Sequence, residues 1–448
     1  MPAAALSQER ELESMKHSLR LNKSFVKSTA CGPYIEWLLR YWAPLVFLAA
    51  SACLTVHAQQ PALKNGDRVV FYGDSITAQR YYTRFVEDFF ITRYPRMQVA
   101  FFNAGIPGDN VNGGYTGDAQ LRLKRDLFPH QPTVVTIMLG MNDGFYSPFE
   151  QKYLDIYSAG YRKLIDSIQT NLPGVRITAI SPTPYDEVTH GTEFPHYNET
   201  MTRYTAWVRD EAASAHLGYS DFNTAMSNLA ETGVKQNPSL AELLIPDRIH
   251  PSEPAQWVMA AALARTWGFS PVVADVHLDA SQPSAISAQN AEVSALAMKD
   301  GKLTWTELDS SLPLPLDLEN GLMRFVLSAS DLADMDREML RVDRLAAARY
   351  TLKVDGHTIA TFDRSRLEQG VNLALYATPM EDQARDLDGT EQKRTWLEDT
   401  HFIVVQEGPP LPDEASLTKA LEEKDAQLSA DQHKDAQPKP HTFELAPQ

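Results

Sequence analysis

Cysteine is the scarcest residue in this chain. Only two cysteines occur among the 448 residues, Cys31 and Cys53. Both lie upstream of residue 59, so the rest of the chain has no disulfide to stabilise it and no thiol for nucleophilic catalysis. The sequence also contains no His-Glu-x-x-His segment and no cluster of cysteines and histidines. It therefore predicts neither a bound metal nor a cofactor.

Two common active-site motifs are missing as well. The chain contains no Gly-x-Ser-x-Gly segment, which argues against the nucleophile elbow of an α/β-hydrolase fold. Gly105 and Gly108 follow a predicted strand, but Asp109 stands next, and no third glycine follows at the spacing of a dinucleotide-binding loop. Both motif classes are thus disfavoured.

Basic residues are outnumbered by acidic ones. The chain carries 41 Lys and Arg against 58 Asp and Glu, for a formal net charge of −17. An acidic protein repels phosphate backbones, so nucleic acid is excluded as an expected partner. The hydrophobic fraction of 43% and the charged fraction of 22% are typical of a globular protein. The length exceeds that of one ordinary domain.

The N-terminal segment 1–58 has the pattern of a leader with a signal peptide. Several basic side chains precede an apolar run at 41–56, and Ala58 ends a suitable cleavage sequence. We therefore expect export to the periplasm or the medium after cleavage near Ala58. The apolar run is short for a membrane span. An uncleaved membrane anchor, lipidation at Cys53 and a true start at Met15 remain alternatives.

Apolar segments alternate with helical ones from residue 66 onward. Strands are predicted at 68–72, 97–102, 133–139, 175–180 and 218–222, and helices at 77–94, 151–171 and 254–267. This alternation predicts a parallel sheet covered on both faces. In such a sheet reactive groups gather on loops at the strand C-terminal ends, here after residues 72, 102, 139 and 180. We assign residues 59–275 to this domain.

The chain changes character after residue 275. Residues 281–297 are small and polar, 330–348 are predicted to form an acidic helix, and 350–355 and 357–362 alternate around an Asp-Gly turn that predicts a hairpin. We assign 276–408 to a smaller accessory α/β region. Residues 409–448 are rich in Pro, Glu, Lys, Asp and Gln. They are predicted to be an acidic, largely disordered tail with one short helix at 416–428.

Three segments that follow predicted strands carry reactive groups. The first, at 73–76, presents Ser75 at a strand-to-helix turn, where its hydroxyl and N–H point outward. In the second, at 103–109, Gly108 would let a backbone N–H approach a substrate oxygen that any Cβ would obstruct. In the third, at 140–143, the amide of Asn142 is a candidate donor to an oxyanion, with Asp143 holding it in place. Each segment alone is equally typical of a cap or turn.

The fourth segment, at 247–251, reads Asp-Arg-Ile-His-Pro. A carboxylate three residues before a histidine can accept a bond from the ring Nδ1–H, which fixes the tautomer and leaves Nε2 to take up a proton. Alone, this spacing is more often a surface loop. Together the four segments supply a nucleophile, a base, a group that orients the base, and oxyanion donors.

This combination resembles the SGNH (GDSL) hydrolase superfamily over about residues 66–270. The matching segments are Gly-Asp-Ser at 73–75, Gly108, Gly-x-Asn-Asp at 140–143 and Asp-x-x-His-Pro at 247–251, with Ile76 where the family name expects leucine. The resemblance implies a flavodoxin-like three-layer α/β/α sandwich with a parallel sheet. It also implies roles for particular residues: a triad of Ser75, Asp247 and His250, an oxyanion hole of Ser75 N–H, Gly108 and Asn142, and supporting positions for Asp74, Asn103 and Asp143.

The resemblance implies a serine esterase that acts through an acyl-enzyme on a small-molecule or polysaccharide ester. Expected export, the acidic body and polar site loops favour a short acyl group, such as acetyl, on a carbohydrate. A lysophospholipase-like acyl-hydrolase is the alternative within the class. A non-catalytic carbohydrate-binding or scaffold protein is the alternative from a different class. Four aromatic residues on or beside the site loops either line a substrate cleft or simply pack: Tyr115, Phe145, Tyr146 and Tyr185.

Overall fold

The structure is a computed structural model that describes residues 62–402, 404 and 411–448. The predicted leader and its cleavage point lie outside the described residues. Within the described part of the chain, no helix is both long enough and apolar enough to span a bilayer.

A five-stranded parallel sheet forms the first half of the molecule, in the order β2-β1-β5-β6-β7. Its strands, with the small hairpin β3–β4, are β1 (Arg68–Gly73), β2 (Ala100–Gly105), β3 (Gly113–Gly114), β4 (Gly117–Asp118), β5 (Val134–Met138), β6 (Arg176–Ile180) and β7 (Gly218–Ser220). This is the strand order of flavodoxin-like folds. The predicted fold class is therefore confirmed.

Helices flank this sheet, because its central strands are apolar along their whole length. All residues of β5 are buried, as expected when both faces of a parallel strand are covered. The helices are α1 (Ser75–Ala78), α2 (Tyr81–Arg93), α3 (Ala119–Arg122), α4 (Gln151–Asn171), α5 (Tyr197–Ser214), α6 (Phe222–Gln236), α7 (Pro238–Ala241) and α8 (Glu253–Thr266).

One predicted helix is divided in two. The segment 77–94 was expected to be continuous, but Arg80 has a left-handed backbone with φ of 64° and separates α1 from α2. A left-handed residue cannot continue a right-handed helix. The break lets α1 end after one turn, so that the chain can turn between α1 and the longer α2.

The C-terminal half is built from two further sheets, with strand orders β15-β12-β8-β9 and β10-β11-β16-β13-β14. The strands are β8 (Val272–Asp279), β9 (Ser284–Gln289), β10 (Ala291–Lys299), β11 (Lys302–Asp309), β12 (Arg337–Asp343), β13 (Arg349–Val354), β14 (His357–Asp363), β15 (Val371–Asn372) and β16 (His441–Pro447). The helices are α9 (Gly321–Ala329), α10 (Arg364–Gln369), α11 (Pro379–His401) and α12 (Glu414–Asp435). The predicted hairpin is present as β13 and β14, with Asp355 and Gly356 at positive φ in its turn.

Two predictions for this half are wrong. The expected acidic helix at 330–348 is a short 3-10 turn followed by β12, whose side chains alternate between buried and exposed. The buried polar Glu338 hides that alternation in the sequence, because it occupies a position where an apolar residue would be expected.

The expected disordered tail over 409–448 is also wrong for its described residues. Helix α12 spans 22 residues, and β16 pairs with β11 on one side and β13 on the other. Phe443 and Leu445 of β16 are fully buried. The polar composition of this stretch obscured the short strand β16, which is stabilised by pairing with β11 and β13, two strands that are distant in the sequence.

The two halves share a core rather than dividing at residue 275. Buried residues between 314 and 335, including those of α9, belong to the same apolar cluster as the parallel sheet. The guanidinium of Arg93 on α2 forms a fully buried ion pair with Asp336, at 2.5 Å. Residues 59–448 accordingly form one compact unit.

Candidate active site

Ser75 is the first residue of α1 and follows directly on β1. Asp74 caps this helix, since its carboxylate accepts a hydrogen bond of 3.0 Å from the N–H of Ile76. Gly73 cannot be replaced without strain, because a Cβ there would lie 2.1 Å from Oγ1 of Thr77. The turn is therefore tight, and it holds the Ser75 hydroxyl at the C-terminal edge of the sheet.

A chain of hydrogen bonds links Ser75 to His250 and Asp247. Nε2 of His250 lies 2.8 Å from Oγ of Ser75, and Nδ1 lies 2.6 Å from Oδ2 of Asp247. The residues come from two loops separated by 175 positions in the chain. This is the arrangement in which Asp247 orients the ring and His250 can take a proton from Ser75.

The loop around Asp247 is arranged so that its carboxylate cannot rotate freely. Oδ1 accepts hydrogen bonds from the N–H groups of Ile249 and His250, at 3.0 and 2.7 Å. Arg248 adopts a positive φ of 69°, which closes this turn. Burial acts to raise the pKa of Asp247, but the hydrogen bonds from His250 and Ile249 outweigh it and hold the pKa below its ordinary value. Asp247 is thus a stable anion at neutral pH.

Asn142 lies on the loop after β5 and is held by both ends of its amide. Its Nδ2 donates to the carbonyl of Asp109 at 2.8 Å, and its Oδ1 accepts from the hydroxyl of Tyr146 at 2.9 Å. These bonds orient the amide and connect it to the loop that carries Gly108. The hydroxyl of Tyr146 is a positioning contact that the sequence motifs did not indicate.

Gly108 has open space around it and a backbone conformation that favours glycine, and the expected approach of a substrate oxygen to its N–H stays a prediction. A Cβ at this position would meet no protein atom within 4 Å, so crowding by the protein does not select glycine here. Its φ of 76° does, because side chains rarely tolerate the left-handed region. The glycine therefore sets the direction of the loop backbone beside Asn142.

The three residues expected in supporting positions all contact the site loops. Asp74 caps α1, as described. The Asn103 amide donates to the carbonyl of Thr77 at 2.8 Å and accepts from the N–H of Gly105 at 2.9 Å, which joins α1 to the end of β2. Asp143 accepts from the N–H of Val111 at 3.1 Å, which joins the loop after β5 to the loop after β2.

Three buried carboxyl groups lie beneath these loops. Burial raises the pKa of Asp74 to about 7 and that of Asp143 to about 8, and the nearby Asp109 carboxylate adds to both shifts. Burial also raises the pKa of Asp109, although its ion pair with Arg122 opposes that shift. Arg122 is fully buried, and no motif pointed to it, because an arginine in a short helix is ordinarily a surface residue.

The four candidate cleft aromatics separate into different environments. Tyr185 is buried, and its hydroxyl accepts hydrogen bonds from the N–H groups of Glu193 and Phe194, so it is part of the packed interior. Tyr146 is half-buried against Asn142. Tyr115 and Phe145 remain 67% and 58% exposed. Among the described residues, no group of three or more His, Cys, Asp or Glu side chains is arranged to hold a metal ion.

Comparison with known proteins agrees with this geometry. Residues 71–258 match the model of the GDSL-like Lipase/Acylhydrolase family. An acetylxylan esterase from Geobacillus stearothermophilus is 26% identical over 226 residues, which cover 46% of this chain and 95% of that protein. A solved structure of a gut microbial diltiazem-metabolizing enzyme aligns with a TM-score of 0.76 at 25% identity, over 87% of this chain and 99% of its own. That likeness extends well beyond the family match.

The fold and these matches define an ester-hydrolysing α/β protein. Residues 71–258, which include Ser75, Gly108, Asn142 and the Asp247–His250 pair, form a domain of the SGNH (GDSL) hydrolase superfamily. The protein is a carboxylic ester hydrolase.

Proposed function

We propose that this hydrolase removes short acyl groups, chiefly acetyl, from carbohydrates, with Ser75 as its nucleophile. The observation that carries the mechanism is the hydrogen-bonded chain from Ser75 through His250 to Asp247, at 2.8 and 2.6 Å. The choice of an acetylated carbohydrate is supported by the similarity to an acetylxylan esterase.

The chemistry proceeds in two halves. Nε2 of His250 takes the Ser75 proton as Oγ attacks the ester carbonyl, and the resulting imidazolium is stabilised by Asp247. His250 then donates that proton to the departing alcohol, which leaves an acetyl group on Ser75. In the second half His250 activates a water molecule, which attacks the acyl-enzyme and releases acetate with the serine restored.

The negative oxygen formed in each half needs donors that are already in position. We assign this role to the N–H groups of Ser75 and Gly108 and to the amide of Asn142. The first N–H groups of a helix have no acceptor within the helix, so that of Ser75 is available at the start of α1. The amide of Asn142 is oriented in advance by Tyr146, and pre-oriented donors stabilise such an oxyanion without further reorganisation.

A lysophospholipase-like acyl-hydrolase is the second candidate. It is supported by the matched family model, whose description covers both lipases and acylhydrolases. The two candidates differ in acyl preference. A carbohydrate acetylesterase should hydrolyse p-nitrophenyl acetate faster than the butyrate and longer esters, and the reverse order would favour the lipid substrate.

The direct test uses the purified chain and p-nitrophenyl acetate. We expect hydrolysis by the wild type, with turnover in Ser75→Ala lower by on the order of 10⁴ or more. Ser147→Ala is a matched control, because that serine follows the Asn142 loop and its hydroxyl donates to the carbonyl of Gly144. Equal rates for wild type and Ser75→Ala would contradict an esterase that uses this serine and would favour a non-catalytic carbohydrate-binding or scaffold role.

The natural substrate requires its own assay. Acetate release from acetylated xylan and fatty-acid release from lysophosphatidylcholine, measured side by side, would separate the two candidates. Export is part of the same proposal, because a polysaccharide substrate lies outside the cell. If the chain is exported, N-terminal sequencing of the secreted or periplasmic protein should begin at Gln59, and retention of the leader on the membrane would contradict cleavage.

A further inference from the structure

Two exposed aromatic side chains stand on the loops that carry the oxyanion donors. Tyr115 is 67% exposed and lies seven residues after Gly108, and Phe145 is 58% exposed and lies three residues after Asn142. Large aromatic side chains usually bury most of their surface, so two such exposures beside a reaction site point to a binding role.

The backbone holds Phe145 outward at a cost in strain. Gly144 is pressed against the core, where a Cβ would lie 2.7 Å from the ring of Tyr197. Phe145 and Tyr146 then both adopt φ of 52°, the left-handed region that side chains disfavour. Each such residue costs on the order of 1–3 kcal/mol, and conformations of this kind cluster at functional sites.

The exposed ring of Phe145 packs against one aromatic side chain, that of Tyr153. Its centroid lies 4.8 Å from that of Tyr153 on α4, while Tyr146 turns inward to bond Asn142. The strained pair of residues thus sends one aromatic ring toward the oxyanion donor and the other into solvent. Phe145 is therefore held in one direction by its backbone and by Tyr153, and it presents apolar surface to solvent.

Tyr115 is presented by a different device. It lies in the turn of the β3–β4 hairpin, between glycines that permit close approach of the two strands. A Cβ at Gly113 would lie 2.4 Å from the carbonyl of Gly117. The guanidinium of Arg125 bonds the carbonyl and hydroxyl of Thr116, which anchors the tip of the turn. The hairpin is therefore a fixed projection.

The loops that carry Tyr115 and Phe145 are hydrogen-bonded to each other. The loop after β2 and the loop after β5 are joined by the bond from Asn142 to Asp109 and by the bond from Val111 to Asp143. Movement of one loop would thus disturb the other. Tyr115 and Phe145 are both exposed on this joined pair of loops, and a Cβ at Gly114, next to Tyr115, would lie 3.5 Å from the carbonyl of Gly108.

We propose that Tyr115 and Phe145 form subsites that bind the sugar rings next to the acetylated unit of an oligosaccharide. An aromatic face carries partial negative charge, and one face of a pyranose presents a set of weakly positive C–H bonds at low polarity, so the two surfaces are complementary. The inference rests on the proposed carbohydrate acetylesterase function and extends it from a single sugar to a polymer.

The test compares a short and a long substrate of the same chemistry. Acetylated methyl xyloside occupies the reaction centre alone, and acetylated xylotetraose also reaches the neighbouring subsites. In Tyr115→Ala and Phe145→Ala we expect the ratio of kcat/KM for the tetrasaccharide to that for the monosaccharide to fall about tenfold, which corresponds to about 1.4 kcal/mol, mainly through KM. Trp396→Ala on α11, another exposed aromatic at 65%, should leave both values unchanged.

The outcomes separate this inference from the proposed function. If the wild type releases acetate from both sugars but neither variant changes the ratio, the subsites are overturned while the acetylesterase stands. If the wild type hydrolyses p-nitrophenyl acetate but neither sugar, both are overturned. If the variants instead lose activity selectively on long-chain p-nitrophenyl esters, the two rings bind an acyl chain, and the sugar subsites are again overturned. Thermal unfolding of each variant should confirm that it is folded at the assay temperature, so that a change in the ratio reports on binding.

Discussion

The parallel-sheet half and the C-terminal half of this protein are assembled in opposite ways. In the first half each strand pairs with strands of the same compact stretch, 68–220, and Ser75, Gly108 and Asn142 come after strand ends in chain order. In the second half the last strand of the chain, β16, lies between β11 and β13. Its partners are separated from it by more than eighty residues of sequence. Local sequence pattern therefore specifies the strand arrangement of the first half. The strand arrangement of the second half depends on the pairing of strands that are distant in the sequence.

Polar contacts join the two halves at helix α2. Arg84 pairs with Asp388, and Glu87 pairs with Arg394, which also bonds Asp425 of α12. Arg93 pairs with Asp336 in the fully buried core. The C-terminal half thus supports the helix that follows the nucleophile turn, while the groups that bond Ser75 directly come from the first half. We expect changes in one half to affect stability and changes in the other to affect turnover.

The largest effect on stability should come from Arg93→Met. This change leaves the carboxylate of Asp336 buried without its partner, which costs about 3–5 kcal/mol of unfolding free energy. Urea unfolding measures it, and Arg162→Met is the control, because the Arg162–Glu211 pair is on the surface and such pairs contribute about 1 kcal/mol or less. The double variant Arg93→Met/Asp336→Asn should recover part of the loss. Equal effects of the two single changes would contradict a buried junction.

A loss of similar size is expected from Phe443→Ala in β16. Phe443 is buried and stacks on Trp305 at 5.0 Å, and truncation of a buried phenylalanine costs about 3–5 kcal/mol. The neighbouring exposed Thr442→Ala should be nearly neutral. Below the unfolding transition, kcat on p-nitrophenyl acetate should be unchanged. A fall in kcat without loss of stability would show that the C-terminal sheet acts on the site itself.

In the first half, Asn142→Ala should lower kcat and leave the stability of the protein largely unchanged. Removing one oxyanion donor lowers kcat by about 10²–10³, while KM changes little, because the donor acts mainly on the transition state. Steady-state kinetics measures this, and Asn171→Ala at the exposed end of α4 is the matched amide control. If KM rises while kcat holds, Asn142 binds the ground state instead.

A further expected effect is on the pH dependence of stability. Because burial raises the pKa of Asp143 to about 8, the folded protein binds this proton more tightly than the unfolded chain does. Stability from this group is therefore present below the ordinary carboxyl pKa and is lost as pH rises toward 8. Asp143→Asn mimics the protonated form, so its slope between pH 5 and 8 should be shallower by up to about 1.4 kcal/mol per pH unit. An unchanged slope in urea unfolding would contradict the shift. Asp166→Asn on α4 serves as the control.

Prediction from the sequence succeeded for elements that are defined by their own local sequence pattern. Helix α4 occupies the predicted range 151–171, because one apolar stripe and a Leu-Pro-Gly stop define it. It failed for elements whose structure depends on residues that are distant in the sequence. The break at Arg80 and the strand β12 around Glu338 depend on neighbours that no local pattern reveals. Helices α5 and α6 were not predicted: α5 has no side-chain cap at its start, whereas Asp221 caps α6 by accepting from the N–H of Thr224 and is a signal that the sequence did offer.

The candidate site divides along the same line. Ser75, Gly108, Asn142, Asp247 and His250 could be selected because reactive residue types stand after predicted strands or within a recognisable spacing. The distances between these residues could not be predicted, because the 2.8 Å contact between His250 and Ser75 joins residues that are 175 positions apart in the chain. Arg122, and the role of Tyr146 as a positioning group, became visible only in three dimensions.

The amino-acid order by itself determined the class of fold and the set of reactive groups, because strand and helix periodicity and the identity of side chains are local properties. Tertiary structure alone decided which carboxyls are buried, which aromatic rings stay exposed, and that the final residues complete a sheet. Those properties depend on what lies around each residue. Burial, and the pairing of distant strands, exist only after the chain has brought its separated segments together.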